Sequence, residues 1–478
     1  MSRDIVLVFD CGATNVRAIA INSKGEILSS ESCTNNPQAD PFYPAYRIWD
    51  ISEIWDKMCL ASRKTISRIN PENIVGVTVT TFGVDGTLFD KDGRMLYPVI
   101  SWQCDRTKRV MADIGKYIDL ADLYKENGAL PFNFNTINKL IWFKENRLDI
   151  LEKSYRFLFM PSIFSLLLSG EMLNDATMAG TSMMTSLASR QFSENIFSKI
   201  GLKKELMGPV IEAGSIVGEV TLKASGETLI PLHTSVVATG HDTQFAIFGS
   251  GAEKNQPVLS SGTWEILMVR AEEYKTGIEQ LDLGITTELD AMPGLFNIGN
   301  QWIASGVIEW ARRILYNDIK DDVFEKMIAG AEQVPPGSNG VKIIPKFYEE
   351  MSGIPGGQIL GLTMESSRDE IFRAILEALS ERLAEGKKAL ENAGGFKTDS
   401  ILCVGGGSKN RLWNKLRANY TGVPIKIISQ KETTVLGASL FVQAACGNFS
   451  SPEDARSAID YKTEIIEPEY PRTFHRGT

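Results

Sequence analysis

Hydrophobic positions near the start of the chain follow one pattern before a short polar turn and another pattern after it. Residues 5–9 (IVLVF) are all apolar, which is typical of a strand buried on both faces. After the turn DCGATN, apolar and other residues alternate over 16–21. The pattern predicts strand, turn, strand. A Walker-type loop, G-x-x-x-x-G-K-[ST] leading into a helix, is not present in this stretch.

A comparable pattern begins near residue 257 with PVLSSGTWEILMVR. An apolar run again leads into a turn of small residues and leaves it as an alternating run. Two such units predict an internal repeat, with two similar halves facing one cleft. The Gly-rich and polar stretch at 248–257 indicates the boundary. We therefore predict an N-terminal domain over 1–247, a C-terminal domain over 248–450 and a tail over 451–478.

Apolar side chains at four-residue steps predict a long amphipathic helix over residues 368–395, closed by Gly394 and Gly395. A short strand (ILCV), the loop GGGSKN and a second helix starting at RLWNKLRANY are predicted to follow. The glycines of that loop would let a flat ligand approach the backbone closely.

Composition narrows the class of protein. A chain of 478 residues that is 43% hydrophobic is long enough for two buried cores. The net charge is −9, whereas proteins that bind nucleic acids or anionic membranes carry clustered Lys and Arg. Small-molecule ligands are therefore favoured. Six cysteines without a C-x-x-C pair indicate neither a zinc site nor a disulfide framework. With no signal-like or membrane-length apolar run, we expect a cytoplasmic protein.

The first turn has the residue types that bind phosphate and magnesium. Gly12 has no side chain to block an anion, and backbone N–H groups and the Thr14 hydroxyl can donate to phosphate oxygens. Asp10 can hold Mg²⁺ against them. The alternative is a plain hairpin, because Gly and Asn also suit turns for conformational reasons. The second turn, residues 260–263, favours the phosphate interpretation, since a polyphosphate is held at two points.

The sequence GHDT at residues 240–243 follows a branched apolar stretch and precedes a segment that could begin a helix. Asp242 could be a helix cap or a general base that accepts a proton from a substrate hydroxyl during phosphoryl transfer. Sequence position alone does not separate these two roles. His241 beside it is either a site residue or a structural histidine.

Aromatic and charged residues between positions 82 and 106 form another candidate group. The segment predicts strands joined by the turn KDG, and the candidates for a sugar site are Phe82, Asp85, Trp102, Asp105 and Arg106. The alternative is a hairpin core with a surface ion pair.

These motifs together resemble the FGGY family of carbohydrate kinases. The first family signature is matched by FNTINKLIWFKEN (134–146) and the second by GQILGLTMESSRDEIFRAILE (357–377). With DCGATN, GHDT, SSGTW and GGGSKN, the resemblance spans residues 5 to about 450. It implies an α/β protein with two ribonuclease H-like domains of the actin/hexokinase type around an interdomain cleft.

The resemblance also implies roles for individual residues. It assigns Asp242 as the catalytic base and Asp10 as the Mg²⁺ ligand. Substrate contacts are implied for Gly83, His241, Asp242, Thr243 and Asn297. Nucleotide contacts are implied for Asp10, Gly12, Ala13, Thr14, Asn15, Gly262, Thr263, Gly405, Gly406 and Asn410.

Within the family, the motifs are most similar to members that phosphorylate the C1 hydroxyl of L-fuculose with ATP and Mg²⁺, in L-fucose catabolism. A kinase for a related ketose such as L-rhamnulose is the alternative. An actin- or Hsp70-like nucleotide-switched binding protein is the non-enzyme alternative, and a sugar-responsive repressor would normally carry an added helix-turn-helix. The expected partners are a small-molecule sugar and ATP, with neither nucleic acid nor membrane. A homodimer is one assembly that the resemblance allows.

Overall fold

The structure is a computed structural model that describes residues 3–347 and 356–469. Its strands, in chain order, are β1 (Ile5–Cys11), β2 (Asn15–Ile21), β3 (Ile27–Thr34), β4 (Gln38–Ala39), β5 (Arg47–Trp49), β6 (Ile74–Thr81), β7 (Gly86–Phe89), β8 (Val99–Ile100), β9 (Arg156–Phe159), β10 (Asn174–Asp175), β11 (Thr185–Ser186), β12 (Gln191–Phe192), β13 (Val210–Ile211), β14 (Ile216–Glu219), β15 (Ser235–Val237), β16 (Val258–Ser261), β17 (Trp264–Ala271), β18 (Thr286–Leu289), β19 (Phe296–Ile303), β20 (Lys342–Ile344), β21 (Gln358–Leu360), β22 (Ile401–Val404), β23 (Ile425–Ile428) and β24 (Thr463–Ile466).

The α-helices of the same residues are α1 (Ile51–Ile66), α2 (Lys108–Ala112), α3 (Leu120–Asn127), α4 (Thr136–Asn146), α5 (Leu148–Leu151), α6 (Met160–Ser169), α7 (Ala176–Gly180), α8 (Glu194–Ile200), α9 (Leu222–Thr228), α10 (Asp242–Gly249), α11 (Ile278–Asp282), α12 (Ser305–Leu315), α13 (Val323–Glu332), α14 (Arg368–Gly394), α15 (Arg411–Thr421), α16 (Thr433–Ala445) and α17 (Pro452–Ser457). None of the helices in the described ranges is both long and apolar enough to cross a membrane.

Two large mixed sheets share one topology. The first has the order β14-β15-β6-β1-β2-β3, and the second has the order β18-β19-β17-β16-β22-β23-β24. In each, an antiparallel meander (β1-β2-β3 or β16-β17-β19) is extended on one side by two parallel strands and one antiparallel edge strand. The second sheet has one more antiparallel strand, β18, beside β19 at its other edge. The predicted pair of ribonuclease H-like halves is confirmed.

Helices cover both sheets because the central strands are apolar on both faces. Every residue of β1 is buried, and its neighbour β6 is buried apart from Val75. On one face β1 contacts α16, which comes from the C-terminal half of the sequence, and α16 packs along α10. The long helix α14 packs against β17 and β19 of the second sheet. The two halves are therefore joined by helix packing as well as by the chain.

The local predictions compare well with the structure. Strand, turn, strand is confirmed at β1–β2 and at β16–β17, and the predicted amphipathic helix is α14, capped by Gly395 in the left-handed region (φ 66°). In the predicted tail, α17 packs on α16 and β24 forms the edge of the second sheet. Residues 470–478 of that tail lie outside the described residues.

Candidate functional site

Two cavities meet at the beginning of α10. The first has a volume of about 380 Å³ and is lined by both halves of the chain. The second has a volume of about 1070 Å³ and lies between α10, α16 and the loop after β22. Four residues line both cavities: Asp242, Thr243, Ile266 and Met268. Asp242 brings the only carboxylate of this shared set to the junction.

The GHDT segment positions that carboxylate at a helix start. His241 is the N-cap residue of α10, and its side chain makes no capping hydrogen bond. Asp242 is the first helical residue, and its Oδ1 accepts a hydrogen bond from the N–H of Thr243 at 2.6 Å. The N-cap role weighed for Asp242 is therefore wrong in its usual form, because the cap position belongs to the preceding residue. About a third of the Asp242 side chain (32%) remains exposed.

His241 lies between carboxylates from both halves of the chain. Its Nε2 is 3.6 Å from Asp242 Oδ1, and its Nδ1 is 3.5 Å from Oε2 of Glu288 on β18. Burial disfavours the imidazolium, but the carboxylates of Glu288 and Asp242 outweigh it and raise the pKa of His241. Burial raises the pKa of Asp242, and His241 partly offsets this. A positive charge on His241 therefore favours the ionised form of Asp242, which is the form that accepts a proton, against the effect of burial.

A buried acid that the sequence analysis missed holds this segment in place. The backbone N–H of His241 donates to Oγ1 of Thr177 at 2.9 Å, and that hydroxyl in turn donates to Oδ1 of Asp175 at 2.5 Å. Burial raises the pKa of Asp175 to about 6. Gly240 has to be glycine, because a Cβ there would lie 2.2 Å from Asp175 Oδ1. Asp175 lies next to a short helix and has no motif around it, so its sequence gave no signal.

The first predicted phosphate turn is a closed hairpin. The N–H of Gly12 donates to the Asn15 carbonyl at 2.8 Å, so that donor is used within the turn. The exposed Thr14 hydroxyl accepts a hydrogen bond from the Asn15 side chain at 3.2 Å. Ala13, between Gly12 and Thr14, is partly exposed. None of residues 11–15 lines either of the two cavities.

Asp10 is paired with a cationic side chain of its own hairpin. Arg17 donates from Nε to Asp10 Oδ2 at 2.9 Å and also forms an ion pair with Glu432 at 2.9 Å. Burial raises the pKa of Asp10, Arg17 opposes this, and the negative charge of Asp242 adds to it. The two aspartates therefore share one electrostatic environment. Across the described residues, no cluster of three or more His, Cys, Asp or Glu side chains forms a ready-made metal site.

The second turn and the glycine-rich loop lie side by side. Gly262 repeats the hairpin bond, donating from its N–H to the Trp264 carbonyl at 3.1 Å, and Thr263 accepts from the N–H groups of Ala304 and Gly306 through its carbonyl. Gly405 and Gly406 line the second cavity. Asn410 does not; it caps α15, its Oδ1 accepting from the Trp413 N–H at 3.0 Å.

The glycines predicted to contact nucleotide fall into two groups. Gly405 has a φ of 90°, and a Cβ there would lie 2.6 Å from the Ser261 carbonyl oxygen, so the fold itself requires glycine. A Cβ at Gly406 would meet nothing within 4 Å, and at Gly262 it would lie 3.5 Å from its nearest neighbour. At Gly12 the distance is a tighter 3.3 Å. These three positions can therefore report on a ligand rather than on folding.

The resemblance also implies sugar contacts for Gly83 and Asn297, and one of these two residues lies in the first cavity. Gly83 lines it beside His241, whose Nε2 would be 3.1 Å from a Cβ at that glycine. Asn297 does not line it. It is fully buried in β19, and its Nδ2 donates to Asp290 at 2.6 Å. Asn300 and Gln301, further along the same strand, do line the cavity.

The candidate group from positions 82–106 is only partly brought together. Phe82 and Trp102 line the first cavity. Asp85 is buried outside it, accepting from the Trp49 indole at 2.7 Å and from the Lys139 ammonium. Arg106 is buried against Asp40 at 2.6 Å, and Asp105 is an exposed partner of Lys108. The sugar-site prediction is therefore wrong for these three charged residues, since their partners lie elsewhere.

The paired halves, with an acid where two cavities meet, define the class as a two-domain α/β kinase of the actin/hexokinase type. Residues 5–249 match the N-terminal domain of the FGGY family of carbohydrate kinases, and residues 258–446 match its C-terminal domain. The chain therefore belongs to the FGGY family of carbohydrate kinases and is an ATP-dependent sugar phosphotransferase.

Three relatives illustrate the similarity. The chain is 41% identical over 469 residues to an L-fuculokinase of Escherichia coli K12, covering 98% of each chain. It is 42% identical over 472 residues to an L-fuculokinase of Haemophilus influenzae, covering 97% of this chain and 99% of the relative. The crystal structure of a xylulose kinase from Rhodospirillum rubrum superposes with a TM-score of 0.88 at 19% identity, covering 98% of this chain and 94% of that one. This last likeness concerns the fold.

Proposed function

We propose that the protein transfers the γ-phosphoryl group of ATP to the C1 hydroxyl of L-fuculose. The observation that carries the proposal is that Asp242 lines both cavities, so one carboxylate faces the sugar and the nucleotide together. The sugar would occupy the 380 Å³ cavity and ATP the larger one. The choice of L-fuculose comes from the curated relatives, which are L-fuculokinases at 41–42% identity over nearly the whole chain.

In this proposal Asp242 accepts the proton of the C1 hydroxyl as the phosphoryl group arrives. His241 and Thr243 lie next to that carboxylate, and Gly83 leaves room for the sugar beside the imidazole. Phosphoryl transfer has a loose transition state, so placement and charge neutralisation supply most of the catalysis. The apolar walls around the junction keep water away from the transferring group.

The nucleotide contacts proposed for Gly262, Thr263, Gly405 and Gly406 are supported by the adjacency of the second turn and the glycine-rich loop. The contacts proposed for residues 12–15 rest on the matching hairpin in the first half. Closure of the halves would bring both turns to the polyphosphate. Asn410 caps α15 through its side-chain oxygen, so we propose that its side-chain NH₂ group donates to the nucleotide.

We also propose Mg²⁺ as the companion of ATP, with Asp10 as its protein ligand. A carboxylate is a ligand that Mg²⁺ prefers. Burial and the negative charge of Asp242 both raise the pKa of Asp10, so a bound cation would stabilise its ionised form. Mg²⁺ bound with ATP would neutralise charge on the phosphates, and Arg17 would hold the Asp10 side chain in place.

In calorimetric titrations, Asp10→Asn should weaken ATP binding in the presence of Mg²⁺ and leave sugar binding unchanged. Equal Mg²⁺ dependence in both proteins would refute this role.

A panel of ketoses with ATP, followed by ADP release, tests the substrate. L-Fuculose should give the highest kcat/KM, and the product should carry phosphate at C1 by NMR.

Asp242→Asn should lower kcat about 100- to 10,000-fold while both ligands still bind. Asp105→Asn, which alters an exposed carboxylate outside the cavities, is the matched control. Near-normal turnover by Asp242→Asn would show that the base is another group.

A further inference from the structure

One wall of the first cavity is apolar and aromatic. It is formed by the segment between α3 and α4, where Ala129, Leu130, Phe132 and Phe134 line the cavity. The rings of Phe132 and Phe134 stack with centroids 4.9 Å apart and planes 13° apart. Trp102 meets Phe134 edge-on, with ring centroids 6.1 Å apart. A ligand in this part of the cavity would contact ring faces and aliphatic carbon.

This wall belongs to the part of the first cavity that the second cavity does not share. The transfer point is marked by Asp242 and Thr243, which line both cavities. Neither Phe132 nor Phe134 lines the second cavity. We place the reacting carbon of the substrate at Asp242 and its opposite end against the two phenylalanines, which line the first cavity alone.

Hydrogen bonds from both halves of the molecule fix the segment that carries the wall. Asn135 accepts from the Phe132 N–H at 2.6 Å and donates to the Thr181 carbonyl at 3.1 Å. Asn138 donates to the Phe132 carbonyl at 3.0 Å. From β18 of the second sheet, the Thr287 N–H donates to the Gly128 carbonyl at 2.8 Å. The aromatic wall is thus held in place by hydrogen bonds of the protein itself.

We infer that this wall, called here the methyl subsite (residues 129–134), recognises the terminal methyl group of a 6-deoxy ketose. The inference rests on the proposed function, because a ketose phosphorylated at C1 would place C6 at the end remote from Asp242. A methyl group loses no hydrogen bond on entering an apolar site, whereas a C6 hydroxyl would leave water without gaining a partner. Apolar sites reject an added hydroxyl by about 10- to 100-fold.

The test compares sugars that differ only at C6. L-Tagatose is L-fuculose with a hydroxyl on C6, and L-fructose bears the same relation to L-rhamnulose. The full-length protein with ATP should prefer L-fuculose over L-tagatose by about 10-fold or more in kcat/KM. Phe132→Ala should reduce that ratio to about 3-fold or less. It should do so mainly by raising KM for L-fuculose and leaving kcat within a few-fold.

A control variant and a second pair of sugars complete the test. Phe324→Ala removes a half-exposed phenylalanine on α13 that does not line the cavity, and it should leave the ratio unchanged. Equal kcat/KM for both sugars of each pair, or a parallel loss for both in Phe132→Ala, would overturn the subsite. If L-fuculose is inert, the proposed function fails, and the L-rhamnulose and L-fructose pair then decides the subsite by itself.

Discussion

Gly249 on α10 and Gly437 on α16 lie in direct backbone contact. A Cβ at Gly249 would be 2.0 Å from the Thr433 carbonyl oxygen, and a Cβ at Gly437 would be 1.9 Å from the Phe245 carbonyl oxygen. The helix that begins with Asp242 is therefore pressed, without intervening side chains, against a helix whose first residues line the second cavity.

Replacing Gly437 with alanine should force these helices apart. We expect the free energy of unfolding to fall by about 1–3 kcal/mol, as for overpacked cores, and kcat to fall with it because α10 carries Asp242. Urea unfolding and steady-state kinetics measure the two effects. Gly226→Ala, in α9 with nothing within 4 Å of the new Cβ, is the control and should be neutral or stabilising. Equal stability of the two variants would contradict the contact.

Alanine at the open glycines should reveal where ATP approaches the backbone. Gly262 and Gly406 accept a Cβ without a clash, and Gly12 nearly so. We therefore expect unchanged melting temperatures but a KM for ATP raised about 10-fold or more, since a Cβ would occupy space needed by the ligand. Gly115→Ala, with nothing within 4 Å, is the control. Unaltered ATP binding at all three positions would mean that these turns are only structural.

Arg417 and Glu265 form a fully buried ion pair beneath the glycine-rich loop. Arg417 also donates to Oγ of Ser261 at 2.6 Å and stacks 3.6 Å from the Trp413 ring centroid. Arg417→Met should cost about 3–5 kcal/mol of unfolding free energy, because it leaves the carboxylate buried without a counter-ion. Of the residues that the structure describes, only the Ser261 hydroxyl and the Trp302 indole would still donate to it, at 3.0 and 2.9 Å. The double variant Arg417→Met with Glu265→Leu should recover part of this loss in urea unfolding.

An exposed pair provides the comparison for that experiment. Arg312 and Glu309 are neighbours on the surface of α12, and Arg312→Met should change stability little. If Arg417→Met were equally mild, or if the double variant were no better than the single one, the buried pair would not carry the stability assigned to it.

Asp175 should make stability depend on pH. Its pKa in the folded protein is about 6, raised from 3.8 by burial. Between about pH 4 and pH 6 the folded state therefore binds more protons than the unfolded state. The contribution of Asp175 to the free energy of unfolding, about 3 kcal/mol, is full below about pH 4 and is lost as the pH rises through 6. Asp175→Asn should flatten this part of the curve of unfolding free energy against pH. An unchanged slope between pH 4 and 6 would contradict the assignment.

The sequence predicted those features whose cause is local. Apolar runs, turn glycines and four-residue spacing lie within a few positions of one another, so both hairpins, α14 and the start of α10 were predicted at nearly the observed residues. The residues of GHDT left Asp242 as either a cap or a base, the resemblance implied the base, and the structure places the side chain where two cavities meet.

The features that sequence reasoning missed are set by long-range contacts. Asp85 meets Lys139 across 54 positions, and His241 meets Thr177 across 64. A charged residue near an aromatic one looks the same in sequence whether it faces a cavity or a buried partner, which is why Asp85 and Arg106 were misplaced. Asn297 differs from Asn300 only by its position along β19, and sheet register decides which of them reaches the cavity.

The matching hairpins of the two halves are alike in backbone and unlike in charge. Where the first half has Asp10 with Arg17 opposite it, the second half has Ser260 with Ile266 opposite it. At these two matching positions the duplicated scaffold thus has an acid and a base in the first half and uncharged residues in the second, so the near-symmetric fold is not symmetric in charge. In the proposed nucleotide site, a polyphosphate would therefore meet an ionic pair at the first turn and uncharged residues at the second, and this difference would favour one direction of binding.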